Sequence, residues 1–297
     1  MTLPVSGPIS MSQVNTELLI TPSTTLITMN DSGVRFLTGT SAGTTDSMQQ
    51  LLGKSYVIAA NSGILTSGSS YTLPQTSGTT INVLVIAGGG GGGGGSGRNA
   101  ANAGYNTGAG GGAAGGNAYA TSISVTPGQT VSFSIGSGGG AGTYRDGRYT
   151  SGSAGSAGTS TSITVNGTVR AAATAGGGGA VSPDTTGGTA GSVSTGTQYL
   201  SPNAGGTGTS TNQFTGQGGL GAAGYTISTT VGASLSSIIG YGSTGATYAA
   251  GGAASQSGTV YGAGGGGGGT NQSDQQSYQN MFAAAGTTGA VFIWWGY

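Results

Sequence analysis

Apolar residues gather in a few short runs along an otherwise small and polar chain, and the spacing within each run sorts them into elements. Met11, Val14 and Leu18 recur at helical spacing behind Ser10 and Gln13, which stand three apart as a capping box. A second short helix carrying Val34 and Leu37 is expected behind a cap at Asn30 or Asp31, ended by Gly39, and a third from Thr44 to Leu52, ended by Gly53. Each is only a few turns long and needs packing partners to persist. Beyond residue 55 the pattern becomes β-like: Tyr56-Val57-Ile58, Ser70-Tyr71-Thr72-Leu73, and Ile81 to Ala87, which is apolar without alternation and so reads as a buried strand. Ser122 to Val125 and Val131 to Ile135 alternate cleanly on either side of Pro127-Gly128 and read as a strand pair. Ser162 to Val165 turns through Asn166-Gly167 into Thr168-Val169, the signal of a type I′ hairpin. The apolar run Ala290 to Trp295 is expected to be buried beside Ile81 to Ile86, closing the domain by pairing its first and last strands.

Between these strands lie runs of glycine: Gly88 to Gly95, Gly110 to Gly112, Gly138 to Gly140, Gly176 to Gly179 and Gly264 to Gly269, in a chain with 68 glycines among 297 residues. Glycine loses the most backbone freedom on ordering and is a poor helix former. It can adopt the threefold extended helix, whose backbone groups point outward without internal hydrogen bonds. Buried, those groups need partners, so several such rods must lie side by side and bond laterally. Only seven prolines and no sustained Gly-X-Y register argue against collagen. The fold expected is mainly β or irregular: a small helical amino-terminal adaptor (residues 1–55), then a β-strand-framed glycine-rich domain (56–297) with packed polyglycine II-like helices.

Charge narrows the function. Six basic and six acidic residues give a net charge of zero, far from the footprint of a nucleic-acid binder, so no nucleic-acid partner is expected. There is no histidine and no cysteine, which removes the commonest general base, the commonest metal ligand and any disulfide framework. No metal, no cofactor and no catalysis are expected. Gly53-Lys54-Ser55 lacks the upstream glycine of a phosphate-binding loop, since Met48 stands in its place. Asp146 with Asp184 or Asp274 is the one carboxylate pair open to proposal, and Asp146 sits between Arg145 and Arg148, where ion pairing suits it better than acid-base work. The sequons at Asn30, Asn166 and Asn271 matter only in a secreted eukaryotic protein. No signal peptide and no membrane insertion are expected, as the longest run of large apolar residues is far too short to span a bilayer.

The stretches between glycine runs are rich in Tyr, Asn, Gln, Ser and Thr. If the rods form a rigid slab, these are loops at its ends, and Tyr-rich, Ser-rich and Gly-rich loops suit recognition of polar partners. The candidate receptor-contact residues are Tyr105, Tyr144, Arg145, Arg148, Tyr149, Tyr199 and Tyr278; spacer loops without a recognition role are the alternative.

The opening Leu3-Pro4-Val5-Ser6-Gly7-Pro8-Ile9-Ser10-Met11-Ser12-Gln13-Val14-Asn15-Thr16-Glu17-Leu18 resembles the start of many tailed-bacteriophage structural proteins, and Ser47-Met48 to Gly53-Lys54-Ser55 resembles the end of the same short module. The remainder, with its strand, polyglycine run, Ser124-Val125-Thr126-Pro127-Gly128-Gln129 and final apolar strand, is similar in style to glycine-rich domains of phage tail fibres and adhesins. The resemblance implies a tail component made in the host cytoplasm and carried in the virion, oligomeric there. It would dock on other tail or baseplate proteins through residues 1–55 and bind a host surface glycan or outer-membrane protein without turnover. A purely structural tail, baseplate or capsid part without a receptor is the alternative. A silk-like or cell-wall protein would lack the docking module.

Overall fold

The computed structural model describes residues 3–4, 6–17, 26–28, 31, 34, 47–52, 61–74, 79–95, 108–143, 152–181, 186–198, 201–212, 215–227, 239–241, 260–268, 270–271 and 283–295. Near the amino terminus, α1 (Met11–Glu17) starts at the expected capping box. The Ser10 amide donates to Gln13 Oε1 at 2.8 Å and the Gln13 amide to Ser10 Oγ at 3.2 Å. Leu3, Val14, Ile27, Val34 and Leu51 form a small core of their own. Asp31 accepts from the amide and hydroxyl of Thr28 and Val34 is helical, while Asn30 and the rest of the second expected helix lie outside the described residues. The third helix is a single 3-10 turn, Met48–Leu51, with the Ser47 amide donating to Gln50 Oε1 at 2.7 Å. Leu37, Gly39 and the 56–58 strand lie outside the described residues.

The strands, in chain order, are β1 (Asn61–Leu65), β2 (Ser70–Thr72), β3 (Thr80–Ile86), β4 (Asn117–Ser124), β5 (Thr130–Ser134), β6 (Thr161–Val165), β7 (Thr168–Ala173), β8 (Val193–Thr195), β9 (Thr209–Asn212), β10 (Thr215–Gln217), β11 (Tyr225–Ile227), β12 (Ile239–Tyr241), β13 (Val260–Tyr261), β14 (Thr270–Asn271) and β15 (Ala290–Trp295). Two antiparallel sheets, ordered β1-β15-β3-β4 and β2-β5-β6-β7-β8, form a sandwich. Val83, Val85, Ile123, Val131, Phe133, Ile163, Val165, Val291, Ile293 and Trp295 pack between them. Leu84, Ile86, Phe292 and Trp294 form a second core with Ile64, Tyr119 and Tyr261. Both faces of β3 and β15 are therefore buried, which is why their sequences read as continuous apolar runs. The terminal strand lies beside β3 as expected, with Phe292 opposite Leu84, and β1 pairs with its other edge.

The Asn166-Gly167 hairpin is present, with φ of 53° and 72° at the two turn residues, the type I′ geometry whose twist matches the paired strands. The strand pair expected around Pro127-Gly128 does not form. β4 pairs with β3 in one sheet, whereas β5 lies between β2 and β6 in the other. The turn explains this: the Gln129 amide closes onto Thr126 O at 2.9 Å and Gly128 has φ 78°, a type II turn, and type II turns splay strands where type I′ turns pair them. Ile123 and Phe133 thus reach the same core from opposite sheets.

Candidate functional site

The glycine segments form straight rods that continue the strands. In chain order they are rods 1 (87–95), 2 (108–116), 3 (135–143), 4 (152–159), 5 (174–181), 6 (186–192), 7 (201–208), 8 (218–224), 9 (262–268) and 10 (283–289). Their lateral bonding is threefold. Along rod 1, Ala87, Gly90 and Gly93 donate to Gly116, Ala113 and Gly110 of rod 2. Gly88, Gly91 and Gly94 donate to Thr159, Ser156 and Ser153 of rod 4, and Gly89 and Gly92 to Thr287 and Ala284 of rod 10. Its carbonyls accept in the same rhythm, from Gly139 and Gly142 of rod 3, Gly176 and Gly179 of rod 5, and Gly265 and Gly268 of rod 9. Rod 1 is therefore enclosed on every side by hydrogen-bonded backbone, the lattice of polyglycine II. Rod 2 is enclosed in the same way by rods 1, 5, 6, 7, 8 and 9.

The remaining eight rods close a ring around this central pair in chain order. Each of rods 3 to 10 bonds to the next, and Gly286 and Gly289 of rod 10 donate back to Gly139 and Gly136 of rod 3. The section is three layers: rods 4, 5 and 6; rods 3, 1, 2 and 7; rods 10, 9 and 8. Successive rods alternate in direction. Each bond exchanged for water contributes only about 0.5–1.5 kcal/mol net, but leaving one such buried amide unpaired costs more, so the lattice must be complete to be stable.

Glycine is required here by its neighbours. Among the described rod glycines only Gly262 has a positive φ, at 66°, so the backbone conformation itself is open to other residues. A Cβ built on Gly89, Gly90 or Gly91 would instead fall on the carbonyl oxygen of Ala263, Gly177 or Gly140, each in an adjoining rod. Each rod 1 residue thus spends its three directions on three successive neighbours: Cβ side, amide and carbonyl. Gly140, on the rim, meets only Ser156 Oγ at 3.4 Å.

The alternation gives the bundle two distinct ends. Even-numbered rods run into odd-numbered ones at the sandwich, through β4 and β5, the β6–β7 hairpin, β8, and β11 to β13. Odd-numbered rods run into even-numbered ones at the far end, where β9, β10 and β14 form a three-stranded sheet. All seven candidate contact residues lie outside the described residues, but the residues flanking them do not. Gly95 and Gly108 flank the segment with Tyr105, Thr143 and Gly152 the segment with Tyr144, Arg145, Arg148 and Tyr149, and Asn271 and Ala283 the segment with Tyr278. These flanks all sit at the far end. Tyr199 is separated from that group, because Gln198 and Ser201 flank it at the sandwich end.

The charged residues can be grouped by the rods that flank them in sequence. Arg98, Arg145, Asp146, Arg148, Asp184 and Asp274 lie outside the described residues, in sequence between residues described at the far end, while Arg170 on β7 is the one described charge in the sandwich and rods. Sequence reasoning did not place Arg98 and Asp184 with the tyrosines; the signal that does is the parity of the rods that each segment joins. Among the described residues, no group of His, Cys, Asp or Glu is arranged to hold a metal ion. Nor is any helix among them long and apolar enough to cross a membrane. A family model described as a glycine-rich domain matches residues 65–295. No curated protein sequence matches the chain significantly.

Proposed function

The chain belongs to the glycine-rich domain family, and from that premise we propose that it is a bacteriophage virion protein of the tail, a fibre-tip or baseplate adhesin that attaches to the host surface by non-catalytic binding. The observation that supports this most is the polarity of the bundle. Residues 1–60 join β1 at Asn61, which is level with Trp295, at the end of β15 away from the rods. The segments bearing Tyr105, Tyr144, Arg145, Arg148, Tyr149 and Tyr278 leave the opposite end.

An amino-terminal segment that joins at one end and polar segments that leave the other is the layout an attachment protein needs. The rods between them set the separation, roughly 25 Å along rod 1 at about 3.1 Å per residue. A rigid platform lowers the ordering cost of binding, and tyrosine gives large contact area at low entropic cost. Partners of residues 1–55 would be other tail or baseplate proteins; partners of the far end would be a surface glycan or an outer-membrane protein.

Replacing residues 96–107, 144–150 and 272–282 with Gly-Ser segments of equal length, in virions that carry the full chain, tests the proposal. Adsorption to host cells is expected to fall to background while the melting temperature of the purified chain and the yield of particles hold. Unchanged adsorption would refute the proposal, and loss of particles in its place would favour a purely structural part.

A further inference from the structure

Among the described residues, one hydrogen-bond motif recurs on the rim of the bundle and is not found inside it. Gly140 of rod 3 accepts from the Ser156 amide and donates its own amide to Ser156 Oγ, at 3.0 and 2.7 Å. Ser137 does the same with Thr159, and Thr143 with Ser153, so the motif repeats every third residue along rods 3 and 4. Ala263 with Thr287, and Ser192 with Thr174, repeat it elsewhere on the rim. In each case one serine or threonine supplies both its amide and its hydroxyl to one residue of the adjoining rod.

The lattice explains where those amides point. In rod 1 the Cβ direction, amide and carbonyl of each residue face three successive neighbours. Applied to rod 3, that order aims the amides of residues 137, 140 and 143 at the empty lattice position flanked by rods 3 and 4. Applied to rod 4, which runs the other way, it aims the Cβ atoms of residues 153, 156 and 159 at the same position. A ladder of amides at threefold spacing is what another polyglycine rod binds. Here the side chains of Ser153, Ser156 and Thr159 already stand in its place and take its bonds.

We propose that Ser153, Ser156 and Thr159 form a lateral stop, and that the partner they exclude is a glycine-rich rod from a second copy of this chain. The device is the polyglycine counterpart of the charges and prolines that keep sheet edges from pairing. Two kinds of substitution separate its parts. The triple variant Ser153→Gly, Ser156→Gly, Thr159→Gly empties the position and frees the amides. The triple variant Ser153→Ala, Ser156→Ala, Thr159→Ala frees the amides but leaves a methyl in the way.

Sedimentation velocity of the full chain is expected to show the glycine variant associating beyond the parent as concentration rises, while the alanine variant keeps the parent's state. A folded glycine variant that sediments like the parent at every concentration overturns the proposal. Amide exchange gives a readout that does not depend on the triple variants folding. The Gly140 amide should be protected in the parent and exchange about tenfold faster or more in Ser156→Ala, the loss of roughly one hydrogen bond. A Gly140 amide that exchanges in the parent as fast as an open peptide would also overturn it.

Discussion

Substituting alanine at two glycines of adjoining rods separates the claim that neighbours require glycine from the claim that conformation does. Gly91 lies in the centre of rod 1, its amide on Ser156 O and its carbonyl under the Gly179 amide, both at 2.9 Å. A Cβ there would fall on Gly140 O. Rod 3 or rod 1 must shift, and overpacking of this kind costs about 1–3 kcal/mol. The shift also stretches the two bonds of Gly91, each worth about 1–3 kcal/mol if its buried partner is left unsatisfied. Against this stands a gain of at most about 1 kcal/mol from restricting the unfolded chain. Gly91→Ala should therefore destabilise by roughly 2–9 kcal/mol.

Gly140 is the atom-for-atom control, since it lies on the other side of the same contact. Its added Cβ meets only Ser156 Oγ at 3.4 Å, and it has no positive φ. Gly140→Ala should be neutral or stabilising by up to about 1 kcal/mol. Urea unfolding of the full chain with linear extrapolation measures both. Equal destabilisation by the two substitutions would refute the reasoning, because it would mean that the rods need glycine for backbone freedom wherever they run.

Three further outcomes can be checked on the same protein. Phe292→Ala, which removes a buried ring stacked on Trp294 at 5.1 Å between centroids, should cost about 3–5 kcal/mol in the same assay. Thr161→Val keeps the buried shape but leaves the Gly136 amide, now 2.9 Å from Thr161 Oγ1, without an acceptor; a loss of about 1–3 kcal/mol is expected, and a neutral result would mean water replaces the hydroxyl. Calorimetry should give a heat-capacity change of unfolding below the usual value of about 12–15 cal/mol/K per residue, because the rods bury backbone amides in place of apolar side chains.

Much of this architecture was legible in the sequence, and the exceptions have physical causes. β3 and β15 declared their burial by unbroken apolar runs, and Asn166-Gly167 declared its hairpin. Pro127-Gly128 misled because alternation on both sides of a turn says that the strands share a core, while the turn type decides whether they share a sheet. The glycine runs carried more than their length suggested. Four of the five belong to rods 1, 2, 5 and 9, the central pair and the two rods that touch both of its members. Rim rods tolerate other residues where the Cβ direction is open, as in Gly152-Ser153-Ala154-Gly155-Ser156-Ala157-Gly158, where a Cβ on every third residue would meet the backbone of rod 1 and that residue must be glycine. The candidate contact residues were harder to group. Tyr199 has the same local composition as Tyr105 or Tyr278, and only the direction of the flanking rods sends it to the other end.

The order in which the ring closes also sets a schedule for the nascent chain. The central rods are made first and the rod that completes their enclosure is made last, so the amide of Gly89 waits for an acceptor, Thr287 O, about two hundred residues further on. At ribosomal rates of about 5–20 residues per second, that interval is roughly 10–40 s. Throughout it β3 has no β15 beside it and rod 1 stands open along one side. The most glycine-rich rod is thus the first of the ten to emerge and the last to be secured, and synthesis of rod 10 and β15 is the event that completes its enclosure.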